Sequence, residues 1–310
     1  MTLAVMFPGV FVLSLLYSGF DRKLHARMQR RVGPPLIQPF YDFVKLMNKE
    51  RIIPAAASPS VFVTVTALAA ASSMLGASVL MTNLVMESSF VGDIILVMYL
   101  VLMTAALTMI GGSSSGNPYG AIGFSRRVGM LLGYEVPMLI SLLIVSYRSG
   151  LTLSFYDMVA AQSIADVVLA FSPGAALASL VFALCIPAAA GVVPFDIPEA
   201  KTEVAYGYLI EYGGPYLGLL KLAKEVTNFT LSLLFFTLFI YAPQSFPVVS
   251  AYNEWVNLLF ILVGALAVYM VTITLPRTLF ARMKLGQALR FYVWVWALSL
   301  VSAGLVMVGY

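Results

Sequence analysis

Eight runs of about twenty apolar residues constrain this 310-residue chain more than anything else in it. They fall near residues 1–20, 60–82, 92–111, 128–147, 174–193, 214–241, 254–275 and 291–309. A run of that length matches the hydrocarbon thickness of a bilayer. Inside lipid each backbone N–H and C=O must find its partner within the segment, so such runs fold as helices. Composition agrees: 61% of the residues are hydrophobic and 10% charged, whereas soluble domains carry roughly 25% charged residues. The expectation is an all-α, polytopic transmembrane bundle of about eight spans, forming one transmembrane domain over residues 1–310. Residues 1–20 lack a basic start and are followed by Asp21, Arg22 and Lys23, so they read as a span rather than a cleaved leader.

Basic residues orient the bundle. Eight follow the first span, Arg126 and Arg127 follow the third, and Lys201, Lys221 and Lys224 lie from the fifth span into the sixth. Arg277, Arg282, Lys284 and Arg290 follow the seventh, and the alternate loops hold only Arg148. The positive-inside rule places the charged loops in the cytoplasm and both termini outside, in a multi-pass protein of the cell membrane. The stretch Gly111–Gly123, rich in Gly, Ser and Asn, reads as an irregular cytoplasmic loop. The outer segment 148–172 has room for a short helix, with Pro173 near the start of the next span.

Cys185 and His25 are the only cysteine and histidine. An iron–sulfur cluster takes about four cysteine ligands, and a metal site built from this chain alone is not expected. Cys185 reads as a small buried apolar residue. Any redox cofactor belongs to partner subunits, and no nucleic-acid partner is expected.

The acidic residues are concentrated. Of 14 in the chain, Asp196, Glu199, Glu203 and Glu211 lie in one short segment between two spans, PFDIPEAKTEVAYGYLIEYG. Acids held this close to lipid point to protons, cations or charged partners at one membrane face. The first loop has the opposite sign. Gly33, Pro34 and Pro35 break any helix there. Beyond them Phe40, Phe43, Val44 and Met47 recur at helical spacing, with Asp42, Lys45 and Lys49 elsewhere on the turn. This is an amphipathic helix at the interface, either an anchor on anionic lipid or a platform for a peripheral subunit.

Four ionisable groups fall inside expected spans. Glu135 has only Leu131, Leu132, Met138 and Leu139 as helical neighbours, which makes it a candidate proton relay. Gly129, Gly133 and Pro137 around it are able to loosen the helix and admit water. Lys221 and Glu225 stand one turn apart, so mutual neutralisation competes with a role in ion transfer, and Lys224 lies between them. Asp93 reads as interfacial. Glu87, Asp157, Asp166 and Glu254 read as outer-face charges without a function. Tyr134, Tyr206, Tyr208, Tyr212 and Tyr216 read as packing or interface residues.

Several stretches then resemble, in order, the H-type subunit (subunit 1) family of complex I and its relatives in membrane-bound nickel–iron hydrogenases. In the first loop they are Arg27, Gln29, Arg31, Gly33 and Pro34, then Gln38, Pro39, Asp42, Lys45, Leu46, Lys49 and Glu50. Further along they are Gly133–Val136, Pro194–Ala200 continuing through Glu203, Glu211, Tyr212 and Gly213, and Pro276–Arg277. The resemblance implies a membrane subunit that docks a hydrophilic redox arm and begins a path of ionisable residues toward antiporter-like subunits. On that reading Glu135, Glu225 and Lys221 belong to the ion path, and Asp196, Glu199, Glu203 and Glu211 to the coupling loop. Arg27, Arg31, Asp42 and Lys45 then dock the arm.

Two departures separate the chain from quinone-using members. The stretch E-T-N-R-A that precedes PFDLPEA in those subunits is here Ala189, Ala190, Gly191, Val192 and Val193. The first loop also runs almost directly from Gly33-Pro34-Pro35 to Gln38. Both departures resemble the hydrogenase branch and its sulfur-reducing relative. Implied partners are a nickel–iron-hydrogenase-like large subunit, an iron–sulfur small subunit, antiporter-like membrane subunits and lipid, with ferredoxin as indirect electron donor. The competing expectation is the quinone-site subunit of a complex I-like dehydrogenase. A stand-alone transporter is disfavoured, because no inverted repeat is visible.

Overall fold

The computed structural model describes residues 2–86, 89, 91–164, 172–241 and 253–309, with side chains lacking for 2–5, 163–164 and 253–254. Every expected span falls on a helix. These are α1 (Thr2–Met28), α3 (Pro59–Met86), α4 (Asp93–Ser114), α5 (Pro118–Arg148), α7 (Pro173–Ala189), α9 (Gly214–Phe235), α10 (Asn253–Tyr269) and α12 (Leu285–Val308). Among the described residues six helical stretches are long and apolar enough to cross a membrane, and α7, at 17 residues, is a shorter apolar helix. Short helices α2 (Gln38–Met47), α6 (Phe155–Ile164), α8 (Lys201–Val204) and α11 (Leu275–Leu279) complete the order. No strand occurs among the described residues. The chain is an all-helical polytopic bundle.

Helix α9 is its axis. In its membrane window 83% of the residues are buried, against 28% for the peripheral α12. It packs on α1, α2, α3 and α10, while α5, α7 and α12 form a second group that meets α9 through α7. Lipid gives helices little hydrophobic reason to associate, so small residues and interhelical hydrogen bonds draw them together. At the α3–α4 seam Ser72 and Thr104 hydroxyls lie 2.9 Å apart, and a Cβ on Gly76 would sit 3.3 Å from Leu100. Near the centre Tyr17 meets Phe229 and Tyr269 edge-on at centroid distances of 5.0 and 5.8 Å. This geometry suits the ring quadrupoles.

The amphipathic helix forms as its spacing requires, but it leans on protein. Phe40 and Phe43 pack on Phe11 of α1 at 6.2 and 5.3 Å, and a Cβ on Gly218 of α9 would lie 3.3 Å from Leu46. Val44 is left exposed. Residues 31–35 are non-helical, as Gly33, Pro34 and Pro35 dictate.

Several expectations are corrected. The stretch Gly111–Gly123 is mostly helical: α4 continues to Ser114 and α5 begins at Pro118, capped by the Asn117 side chain, which accepts from the Tyr119 N–H at 2.9 Å. The glycines serve close approach. A Cβ on Gly123 would lie 2.7 Å from the Tyr208 nitrogen, and one on Gly112 would clash with the Tyr208 Cβ. Gly116, at φ +72°, is the one that turns the chain here. Arg127 is consequently inside α5 rather than in a loop. Helix α5 runs unbroken through Gly129, Gly133 and Pro137. Helix α7 stops at Ala189, four residues short of the expected end, and α12 starts at Leu285, six residues early.

Asp93, the first residue of α4, is fully buried in protein. It accepts from Asn83 Nδ2 and from the Phe155 N–H, each at 2.7 Å, and ties α3 and α4 to the start of α6. Helix α6 supplies the short helix expected within residues 148–172, and α7 begins at Pro173, with Ser172 capping it. Glu87, Asp166 and the Glu254 side chain lie outside the described residues.

Candidate functional site: a charged cavity beneath an acidic loop

Residues 190–213, between α7 and α9, fold back onto the end of the bundle as a largely buried loop. Ala205 and Tyr206 both adopt left-handed φ values, +46° and +79°, beside Gly207 at +54°. Such backbone is costly for residues with a Cβ and persists where the surroundings fix it. Here the surroundings are the four acids.

Each acid is held by a different part of the fold. Asp196 Oδ2 accepts from Arg282 at 2.7 Å, beyond α11. Glu203 pairs with Arg126 of α5 at 2.5 Å, and Glu211 accepts from Asn117 Nδ2 at 2.6 Å. Glu199 is gripped most fully: Lys224 of α9 reaches its two oxygens at 2.8 and 2.9 Å, and the Tyr208 hydroxyl donates at 2.5 Å. Tyr208 thus packs against Gly112 and Gly123 and also hydrogen-bonds Glu199. Tyr212 packs, stacked on Phe62 at 4.1 Å.

The loop acids respond differently to this setting. Burial, reinforced by the nearby Glu199 charge, pushes Asp196 above the usual aspartate range despite Arg282. Burial pushes Glu199 up as well, but Lys224, Tyr208 and Arg127 outweigh it and hold Glu199 below the ordinary glutamate value.

Under the loop lies a small cavity of about 50 Å³, room for a few water molecules. Its wall includes Glu135, Tyr134 and Arg127 of α5, Lys221, Lys224 and Asn228 of α9, Thr104 and Thr108 of α4, and Glu199 and Tyr208 of the loop. Two expected ion-path residues, Glu135 and Lys221, therefore share one space with Glu199. Glu225 does not border it. It accepts from the Tyr269 hydroxyl at 3.3 Å, on the side of α9 that faces α10. The Lys221–Glu225 ion pair does not form, and among the described residues Lys221 makes no ion pair. Close to Glu225 in charge terms, Asp21 of α1 accepts from Thr274 at 2.7 Å and from Arg277 at 2.8 Å. Thr274 belongs to the π-helical turn Met270–Thr274, an irregularity often found at functional sites.

Arg127 is the residue that reading the sequence missed. Its side chain is buried, with Nη2 donating to the Ala189 carbonyl at 3.0 Å and Nη1 to Ala188 at 3.5 Å. A signal was present: Gly120, Gly123 and Arg127 recur at spacings of 3 and 4, one face of a helix.

In the first loop the structure separates the expected docking residues. Asp42 is tied inward, accepting from Arg22 at 2.5 Å and from Gln38 at 3.1 Å. Burial alone would raise it, yet these bonds and Lys221 hold it below the usual range. Arg27, Arg31 and Lys45 are exposed and make no ion pair among the described residues. No group of three or more His, Cys, Asp or Glu side chains is placed to hold a metal among the described residues.

Fold and site together define a multi-pass helical membrane protein that carries a charged cavity under a pinned acidic loop. The family model described as NADH dehydrogenase matches residues 1–309, and the chain belongs to that family. It is 33% identical over 246 residues to the H-type subunit of the NADH-quinone oxidoreductase of Thermomicrobium roseum, covering 71% of each chain. It is 30% identical over 341 aligned positions to an H-type subunit of the NADH-quinone oxidoreductase of Symbiobacterium thermophilum, covering 100% of this chain and 96% of that one. Among solved structures it matches a chain of the membrane-bound sulfane sulfur reductase, an archaeal respiratory membrane complex, with a TM-score of 0.86, 26% identity and 97% coverage of both chains. The protein is a membrane subunit of the H type in a complex I-like oxidoreductase.

Proposed function

We propose that this chain is the anchor and ion-coupling subunit of a ferredoxin-linked complex of the hydrogenase or sulfur-reducing type, rather than of a quinone reductase. The observation that carries the reading is the chemistry at residues 188–191. There Ala189 and Ala190 line the cavity without ionisable side chains, and Arg127 and Lys224 donate to the carbonyls of Ala188, Ala189 and Gly191. The likeness to a sulfane sulfur reductase chain supports it.

In this reading Arg27, Arg31 and Lys45 meet the peripheral arm, which carries the iron–sulfur and nickel–iron or equivalent centres. Electron and proton arrival in the arm changes the charge near Glu199, Glu203 and Glu211. Through the Glu199–Lys224 pair that change is felt in the cavity at Glu135, and from there by Glu225 and antiporter-like neighbours. The charged loops then face the cytoplasm.

The test is purification of the complex from native membrane through this chain, followed by assay of its acceptor and metals. Nickel with hydrogen evolution from reduced ferredoxin, or ferredoxin-dependent polysulfide reduction without it, fits the reading. Inhibitor-sensitive quinone reduction as the main activity overturns it and supports the role named for the bacterial relatives.

A further inference from the structure

The polar groups around the cavity are largely committed to one another. Lys224 directs its ammonium to both Glu199 oxygens and to the Gly191 carbonyl at 3.2 Å, a full set for three N–H donors. Tyr208 has given its hydroxyl proton to Glu199. Arg127 turns its two terminal nitrogens to the carbonyls of Ala188 and Ala189. Two buried atoms in the wall remain without a partner among the described residues: the donor Arg127 Nε and the acceptor Asn228 Oδ1. Glu135, the unpaired Lys221 and the Tyr134 hydroxyl also face this space, while Thr104, Thr108 and Thr227 spend their hydroxyl protons on backbone carbonyls of their own helices.

A mixed remainder of donors and acceptors suits water, which is both. It suits a quinone head group poorly. Quinone oxygens only accept, so Asn228 Oδ1 would be left desolvated beside it.

The end of the cavity is also filled. Gly191 has φ +60°, and a Cβ built on it would lie 2.9 Å from Arg127 Nη1 and 3.6 Å from Lys224 Nζ. The guanidinium thus occupies the space that a side chain at position 191 would need. It is permanently charged and half-bound to carbonyls, so no neutral ligand displaces it cheaply.

We propose that Arg127 is a specificity-determining residue that fills the cavity end against Ala188–Gly191, reserving the space for water and barring a quinone head group. The proposal rests on the non-quinone reading above and deepens it.

The test uses the whole complex, purified through this chain as wild type, Arg127→Met and Arg127→Lys. Each is irradiated with a short-chain azido-quinone, and the label is mapped by peptide mass spectrometry. The expected result is label within residues 185–200 that rises by about tenfold or more in Arg127→Met over wild type, with an intermediate rise in Arg127→Lys. No rise in either assembled variant overturns the proposal and leaves the acceptor assignment intact, because hydrogen evolution and sulfur reduction report that independently. Strong label in wild type that unlabelled quinone competes away overturns the proposal as well; only accompanying quinone turnover would also remove the acceptor assignment. Failure of both variants to assemble, the charge-keeping one included, would make Arg127 a folding residue and equally overturn it.

Discussion

The Lys224 ammonium reaches both carboxylate oxygens of Glu199, at 2.8 and 2.9 Å, and so fastens the acidic loop to the central helix. Removing one member of such a pair strands the other. For fully buried pairs that costs about 3–5 kcal/mol. With side-chain exposures of 31% for Lys224 and 15% for Glu199, Lys224→Met should destabilise the assembled subunit by about 2–3 kcal/mol. The double variant Lys224→Met with Glu199→Gln should recover most of that loss. Thermal unfolding of the purified complex decides it: a double variant less stable than the single one would show that the pair does not act as a unit.

The same pair sets a pH dependence. Glu199 is held below its ordinary value of 4.5 by Lys224, Tyr208 and Arg127, against the upward push of burial. A carboxyl lowered in the fold stabilises above its unfolded value and loses that contribution as pH falls through the lowered one. Asp196 has the opposite sign. Burial and Glu199 raise it from 3.8, so its effect favours the fold at acid pH and fades as pH rises through the raised value. Because Glu199 also raises Asp196, the comparison is made in an Asp196→Asn background, where the difference in melting temperature on adding Glu199→Gln should hold from neutral pH down to about 4.5 and shrink only below it. A difference already gone at mildly acidic pH would mean that Lys224 does not hold Glu199 in solution.

Reading from sequence worked wherever the bilayer or a helical repeat dictates the answer. Span length is imposed by hydrocarbon thickness, and the Phe40–Met47 spacing permits one helical face, so α2 and the spans were legible. The acidic loop stood out as a candidate because acids are rare elsewhere in the chain. Its partners were not. Arg126, Asn117 and Arg282 reach Glu203, Glu211 and Asp196 across 77, 94 and 86 residues, and only the folded chain joins them. Arg127 was hidden for a different reason. Glycines that bring α4 and α5 against Tyr208 have the same composition as a loop, and a charge after a supposed loop is assigned to solvent. The burial of Asp93 was hidden as well, since Asn83 and the Phe155 N–H give no local sign that they will enclose it.

That double meaning of glycine yields a paired prediction. A Cβ at Gly123 meets backbone, 2.7 Å from the Tyr208 nitrogen and 2.9 Å from the Gly207 Cα, whereas a Cβ at Gly129 has only Leu285 Cδ1 at 3.9 Å. Backbone cannot swing away as a flexible side chain does. Gly123→Ala should cost about 1–3 kcal/mol and loosen the acidic loop. Gly129→Ala should be neutral or slightly stabilising through helix propensity, within about 1 kcal/mol. Limited proteolysis near residues 201–207, run beside thermal unfolding, separates the two. Equal behaviour of the variants would contradict the close approach of α5 to the loop.

Glu135 makes no hydrogen bond among the described residues although its side chain borders the cavity, so its carboxylate answers to the space and not to a fixed partner. Glu135→Gln keeps the size and removes the titration. The expected outcome is an assembled complex with electron flux retained and ion transport reduced by about tenfold or more, as for loss of a positioned acid–base group. Transport by the reconstituted complex in vesicles, normalised to electron flux, measures it. An unchanged ratio would remove Glu135 from the path.

Arg27, Arg31 and Lys45 are exposed and belong to the cations of this end of the bundle that have no acid of their own among the described residues. Arg22 is committed to Asp42, Arg126 to Glu203, Arg277 to Asp21 and Arg282 to Asp196. Exposed charges of one sign attract either anionic lipid or an acidic partner, and the two differ in geometry. A lipid surface is indifferent to which cation supplies the charge, whereas a docked protein matches particular ones. Arg27→Ala with Arg31→Ala should therefore release the peripheral arm at lower salt than wild type does, and Arg27→Lys with Arg31→Lys should restore only part of the loss, because lysine lacks the planar fork that pairs with carboxylates. Co-purification of the arm over a salt series reads both effects. Full rescue by lysine would point to lipid attraction, and an arm retained equally by every variant would show that these arginines do not dock it.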